Sequence, residues 1–463
     1  MQNGLLVRRI ICLMLAICMF LGCCPAQAAK PEDAQPYPDA LQITIARDSW
    51  KSEEGYPCET ALPVTCLDSI NQELANAQEE LLLDLTQHIT SKKQTMEQEA
   101  TYRISGTRWA GFLLVGRVID MLDNPAREGE KTETTIYLNY RVFAYDMETG
   151  EALTLSDVFP EDSDAWNQIA TLMEERYSAY YSHLTKDQNA IDEYCSIEAL
   201  KEMPFLPSAG RLTLVTPLED VLTDHWQLIH TILPYPDFRP VMTETAYQQT
   251  DNSHRRVIAI TYDDGPTDDQ TPKILRSLNN YGANATFFCI GRQVEYWTDM
   301  VRRELDYGHT VGSHTYKHRY DFQVNGQYLI DDRQQCLQLH RELTGLEPPL
   351  FRAPGGNYEG YLKHEVGWPI IMWHYSAGDT GNNNAYQLAD RIYNFATDGD
   401  IVLMHDMYYK TAKGSEMFLS RLAADGFLFA SVDELLYLYG YTIEPNTVYY
   451  DAYSEPVTEW KDQ

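Results

Sequence analysis

The chain has 463 residues, 44% of them hydrophobic and 22% charged, a composition that excludes a disordered chain and leaves room for two or three domains. Its formal net charge is −32, from 68 acidic and 36 basic residues. Nucleic acid and anionic lipid, which are bound through clustered Lys and Arg, are thereby excluded as principal partners, whereas a neutral polymer is compatible.

The first predicted element is a leader. Arg8 and Arg9 precede the apolar run IICLMLAICMFL (10–21), and Ala26-Gln27-Ala28 offers a small-x-small cleavage site, so residues 1–28 read as a signal peptide. The run is short of the roughly 20 residues a membrane span needs. Lipid attachment at Cys23 or Cys24 and an uncleaved anchor are the alternatives, and all three place the protein outside the cytoplasm, secreted or on the cell envelope. Beyond the leader stand Cys58, Cys66, Cys195, Cys289 and Cys336, an odd set that is no disulfide framework. Cys58 and Cys66 are near enough in sequence either to bridge or to remain two thiols.

Residues 36–245 are expected to form an α+β domain. An amphipathic helix is predicted over 67–89, then strands over 134–146, 151–159 and 211–218, with the turn METG at 147–150. The polar stretch 246–255 lacks apolar periodicity and is placed as a linker. From 256 to 440 strands alternate with helices. Strands are predicted at 256–262, 285–291, 310–314, 350–354, 370–375, 400–405 and 427–433, and helices at 271–282, 294–308 and 328–345. Such a series predicts an α/β fold, an irregular parallel (β/α) barrel of about seven strands. Residues 441–463 read as an acidic tail without a role.

In a parallel barrel the strand ends converge on one face, so residues distant in sequence can share a site. Asp263, Asp264, His314, Arg352 and His405 lie at or just after predicted strand ends, with His318 and Asp379 close by. His314 and His318 are four apart, so a helical turn would project both from one face toward one metal ion. One of the two aspartates would complete a three-ligand site with a position left for water. Neighbouring residues on a strand point to opposite faces, which predicts different jobs for the pair, one ligand and one base. His309 is read as packing beside the site.

The order of these segments, TYDDGP (261–266), HTYKH (314–318), RAPGG (352–356), SAGD (376–379) and IVLMH (401–405), resembles the five motifs of polysaccharide deacetylases of the NodB homology type, the family-four carbohydrate esterases, over about 255–440. The resemblance implies that Asp263 is the general base and that Asp264, His314 and His318 bind a divalent metal, Zn²⁺ foremost, with Co²⁺, Ni²⁺ or Mn²⁺ as alternatives. It implies that Arg352 orients Asp263, that Asp379 tunes His405, and that His405 is the general acid beside Leu403. Gly355 would donate its N–H to the oxyanion where relatives often have Tyr. Tyr262 stands where the family usually has Phe, near the substrate, and Thr380 replaces a common Trp.

The function implied by the resemblance is that of a metal-dependent hydrolase that removes N-acetyl groups from cell-wall glycan, its partner an N-acetylated polymer. A deacetylase of chitin-like or other exopolysaccharide, or a silent glycan-binding or sensor protein, are the alternatives. The N-terminal half, through YRVFAYDMETGEALTLSDVF (140–159), resembles a domain found upstream of some peptidoglycan deacetylases and in anti-sigma-factor ectodomains, which implies an accessory role toward glycan.

Overall fold

The run VIAITY (257–262) is apolar and rich in β-branched residues with no polar alternation, the pattern of a strand buried on both faces. In the computed structural model it is the hub of the C-terminal half. The structure describes residue 37 and residues 41–180, 188–216, 227–319 and 326–459; the predicted leader lies outside the described residues. Among these, no helix is long and apolar enough to cross a membrane.

The hub, β9 (Val257–Asp263), pairs along one side with β14 (Ile401–His405), from Ile401 opposite Ala259 to His405 opposite Asp263. Its other side is shared. β15 (Leu428–Ala430) pairs with Val257–Ala259, and β10 (Thr286–Cys289) pairs with Thr261–Asp263. β11 (Thr310–Ser313) follows β10, Ser313 bridges Phe351, and Phe351 bridges Ile370 of β12 (Pro369–Ile371). The same segment continues as β13 (Tyr375–Ser376), which pairs with β14 and closes the ring. All these pairings are parallel, so the fold is an irregular (β/α) barrel. Its helices include α3 (Thr271–Asn280), α4 (Thr298–Asp306), α5 (Gly326–Thr344), α6 (Ala385–Phe395) and α7 (Tyr409–Ala424).

Two predictions for this half are corrected. The stretch 350–354 contributes only the Phe351 bridges before a short 3-10 turn at Pro354–Gly356. The expected tail is part of the barrel: β16 (Thr447–Tyr449) pairs with β12, and Asp451 bridges Asp400 just before β14, so this strand fills the seam between β12 and β14.

In the N-terminal half, β1 (Thr44–Lys51), β2 (Pro57–Val64), β3 (Thr95–Ser105), β4 (Trp109–Asp123) and β5 (Lys131–Asp146) form one sheet, antiparallel except between β2 and β3. Helix α1 (Asp68–His88) packs on it through Leu74, Leu81 and Leu85. A second sheet of β6 (Leu206–Pro207), β7 (Arg211–Thr216) and β8 (Ile229–Pro234) carries α2 (Ala165–Tyr180). The strand expected over 151–159 is instead a single bridge at Ala152 followed by a helical turn, Leu155–Val158, because Thr154 and Asp157 form a capping box. Cys58 and Cys66 are free thiols, the first buried and the second exposed.

The two halves meet through buried charge. Arg117 of β4 is fully buried and pairs with Asp306 at 2.8 Å, while Arg103 of β3 reaches Asn284 Oδ1 at 2.6 Å and the Tyr307 carbonyl at 2.5 Å. Arg211 of β7 pairs with Asp433, and the Leu228 N–H donates to Asp306 at 2.6 Å. One apolar cluster runs from Leu113, Val115 and Leu138 into Ile258 and Ile260. The stretch 246–255 is itself packed: Asn252 is 0% exposed, accepts from the Gly106 N–H and donates to the Ala209 carbonyl.

Removing one partner of such a pair strands a buried charge, so Asp306→Ala is expected to lower unfolding free energy by about 3 kcal/mol, read by urea denaturation. His230 supplies a pH dependence. Burial and the Arg211, Arg103 and Arg176 cations push its imidazole down from 6.5 to about 3. The unfolded chain takes up this proton near pH 6.5 and the folded chain refuses it, so the group's contribution is complete above 6.5 and is lost as pH falls toward 3. His230→Gln is therefore expected to flatten the decline of the urea midpoint below pH 6.5; an unchanged slope would remove His230 as a contributor.

Candidate active site

The strand β9 ends on Asp263, and the next residue takes the left-handed conformation, Asp264 having φ +79°. That turn overrides strand alternation: both carboxylates face the same cluster, His314 Nε2 lying 3.8 Å from Asp263 Oδ2 and 3.5 Å from Asp264 Oδ1. Gly265 follows because a Cβ there would collide with the Asp406 carboxylate.

His314 and His318 are brought together by a loop, not the expected helical turn. Thr315 and His318 have φ of +64° and +51°, and the His318 N–H donates to Thr315 Oγ1 at 2.9 Å. The loop is anchored from α5, where Asp332 accepts the Tyr316 N–H at 3.2 Å. The two imidazole centroids are 4.9 Å apart, and His318 Nε2 is 3.2 Å from Asp264 Oδ1.

Arg352, fully buried, joins these parts. Its guanidinium donates to Asp263 Oδ1 (2.8 Å), Thr261 Oγ1 (2.7 Å) and the carbonyls of Ile371 (3.0 Å) and Met372 (2.9 Å). Its own carbonyl faces His314 Nδ1 at 2.8 Å. Just beyond, Gly355 is exposed with φ +63°, a conformation that favours glycine.

On the opposite side of β9, His405 Nδ1 meets Asp379 Oδ1 at 3.0 Å, and the other Asp379 oxygen accepts the His405 N–H (2.6 Å) and the Thr411 hydroxyl (2.8 Å). Burial opposes the imidazolium charge, but the Asp379 hydrogen bond and charge, with Asp263 and Asp264, outweigh it and raise the group to about 9. Leu403 shares the inward face of β14 with His405.

Two expected placements are corrected. Tyr262 points away from the site into the helical layer, stacked on Phe287 and bonded to Ser415 Oγ at 2.9 Å. His309 precedes β11 at the far end of the barrel, with Phe287 5.4 Å away. Residues not singled out from sequence also belong here: Thr261 holds Arg352, Thr411 holds Asp379, and Asp406 accepts from Thr271 Oγ1 at 2.6 Å while its N–H reaches the Asp263 carbonyl. Asp406 and Thr411 stand in HDMYYKT, directly after the fifth motif, and that adjacency was the available signal.

Among the described residues, Asp264, His314 and His318 are the group that could hold a metal ion. Asp264 Oδ1 is buried without a hydrogen-bond donor. His314 donates Nδ1–H to the Arg352 carbonyl, so Nε2 turns a lone pair toward that oxygen, acceptor facing acceptor. Burial holds His314 below its usual range, against Asp263 and Asp264, which favours the neutral, ligating imidazole. A cation resolves this arrangement, and the donor set suits Zn²⁺.

Residues 250–366 match the family model described as polysaccharide deacetylase. The chain is similar to the peptidoglycan-N-acetylglucosamine deacetylase PgdA of Listeria monocytogenes, 28% identical over 318 residues that cover 66% of each chain, so it spans just under two thirds of that relative's length. A peptidoglycan-N-acetylglucosamine deacetylase of Bacillus cereus is 33% identical over 192 residues, 40% of this chain and 90% of that one. The solved structure of peptidoglycan deacetylase PdaC from Bacillus subtilis, 29% identical, aligns over 40% of this chain and 91% of its own with a TM-score of 0.39.

The geometry separates the two adjacent aspartates. Asp264→Ala is expected to weaken Zn²⁺ binding by about 100-fold or more, since even outer-sphere losses cost about 10–100-fold. Asp263→Asn is expected to keep binding within about threefold, because its oxygen is held by Arg352 rather than by the histidine pair. Equilibrium dialysis with metal analysis distinguishes them, and equal loss in both would exchange their assignments.

Proposed function

The chain belongs to the polysaccharide deacetylase family, and we propose that it is an exported, metal-dependent hydrolase that removes N-acetyl groups from a cell-wall glycan, the amino sugars of peptidoglycan. The observation that carries this reading is the meeting of three units at one barrel mouth: the Asp263–Arg352 pair, the Asp264, His314 and His318 cluster, and the His405–Asp379 pair. The peptidoglycan-directed names of the similar proteins support the choice of polymer. The leader over 1–28 supports export.

Asp264, His314 and His318 would hold the divalent ion, which when bound would supply a Lewis acid for the acetamide carbonyl and for water beside it. Asp263, with Oδ1 fixed by Arg352, keeps Oδ2 for the proton of the attacking water. The Gly355 N–H donates to the oxygen on which negative charge develops. His405, whose Nδ1 is tied to Asp379, delivers a proton from Nε2 to the nitrogen as the C–N bond breaks, because an amine leaves readily only once protonated. The products are acetate and a free amino sugar.

The test is acetate release from purified peptidoglycan and from chitin oligomers by residues 29–463, with and without Zn²⁺. Zn²⁺-dependent acetate from peptidoglycan is expected. His405→Ala is expected to reduce kcat by about 100-fold or more with metal content unchanged. Acetate from chitin oligomers alone would move the substrate, and none from either, with metal bound, would overturn the deacetylase reading.

A further inference from the structure

Among the described residues, one aromatic ring packs against the His405 imidazole. It is Tyr408, whose centroid lies 6.0 Å away, edge to face at 67°. Tyr408 stands between β14 and α7, and its carbonyl accepts the N–H groups of Thr411 (3.0 Å) and Ala412 (3.1 Å), so the first turn of α7 fixes it. The same turn sends the Thr411 hydroxyl to Asp379 and Lys410 Nζ to the Gly381 carbonyl, at 2.8 and 2.5 Å. The Lys410 ammonium also lies 5.7 Å from the Tyr408 ring centroid. The ring is thus mounted on a rigid element between the loop that carries Asp379 and the strand that carries His405.

Its surroundings point toward the reacting centre. Burial, then the charges of Asp264 and Asp379, push the Tyr408 phenol up, so this side chain is within electrostatic reach of both halves of the site. No hydrogen bond to its hydroxyl is found among the described residues. Thr380, beside Asp379, is exposed. The neighbours Met407 and Tyr409 are 44% and 67% exposed.

A half-buried ring with a polar tip, held beside a proton donor, offers an apolar face for the C–H groups of a sugar and a hydroxyl for one of its oxygens. We propose that Tyr408 is a substrate-contacting, specificity-determining residue that packs on the pyranose ring bearing the scissile amide, its hydroxyl bonding to a hydroxyl of that sugar. This rests on the reading of the site as a deacetylase of N-acetylated glycan. The contact is made equally before and during the reaction, so its loss falls on KM rather than on kcat.

The test uses N-acetylglucosamine oligomers in two measurements. In turnover, Tyr408→Ala is expected to raise KM about tenfold and Tyr408→Phe about threefold, with kcat within about twofold and Zn²⁺ content unchanged. In calorimetry, the same oligomer is titrated into Asp263→Asn protein with and without Tyr408→Ala, and the added change is expected to weaken binding about tenfold. Unchanged KM and affinity would overturn the proposal, as would a fall in kcat at constant KM, which would mark a purely structural effect on His405. Binding without acetate release by the parent would exclude these oligomers as a turnover substrate, leave the deacetylase reading to the peptidoglycan assay, and let calorimetry decide this proposal. No binding by the parent would overturn the ligand assigned to Tyr408.

Discussion

Arg352 is a cation removed from water, and the barrel mouth is organised around satisfying it. A buried guanidinium is tolerated only when its planar fork is met by acceptors, and here it is met from β9 by Thr261 and Asp263 and from the β12 segment by two carbonyls. Burial depresses its proton affinity and the Asp263 charge and hydrogen bond offset that in part, so charge and counter-charge hold each other in place. Because the Arg352 carbonyl also fixes His314 Nδ1, the carboxylate face and the imidazole face of the site share one residue. The ring-closing segment 369–376 is bonded to it as well.

The asymmetry between the two aspartates comes from that bond. Arg352 claims one oxygen of Asp263, and the left-handed turn at Asp264 swings the next carboxylate beside it toward the histidine pair. Of these two like charges side by side, Asp263 is faced by the buried cation, while Asp264 Oδ1 faces the two imidazoles without a hydrogen-bond donor. On the far side of β9, Asp379 plays for His405 the part that Arg352 plays for Asp263, fixing ring orientation and holding the proton. The paired arrangement places a carboxylate and an imidazole, each fixed by its own partner, on opposite sides of one strand end.

Beneath this mouth the barrel is irregular, and the irregularity is filled by chain from elsewhere. β15 fits between β9 and β10, and β16 fits between β12 and β14, so the end opposite the mouth is closed by two short strands from late in the sequence. The N-terminal half covers the same end with Arg103 and Arg117. Those contacts are polar and buried, which makes them specific, since a shifted register would strand the charges.

The catalytic half was legible because a parallel barrel writes itself as alternating strands and helices, with polar residues punctuating strand ends: Asp263, His314, Arg352 and His405 each stand at the end of an apolar run. The ordered motifs likewise marked Asp264, His318 and Asp379. What the sequence could not convey were features made by non-local contact or by backbone hand. The motif position of Tyr262 pointed toward the substrate, whereas its hydroxyl pairs with that of Ser415 in α7. A four-residue histidine spacing is equally served by a helix or a loop, and the left-handed Thr315 decided for the loop. The tail carried no strand signal strong enough to notice because β16 is three residues long, and only the open seam beside β12 gives it a partner. Sequence by itself thus determined the fold class and the chemical inventory of the site, since local pattern and residue type encode both. Tertiary structure alone decided which atoms meet, because packing, backbone hand and the burial of Arg352 fix distances that no spacing along the chain contains.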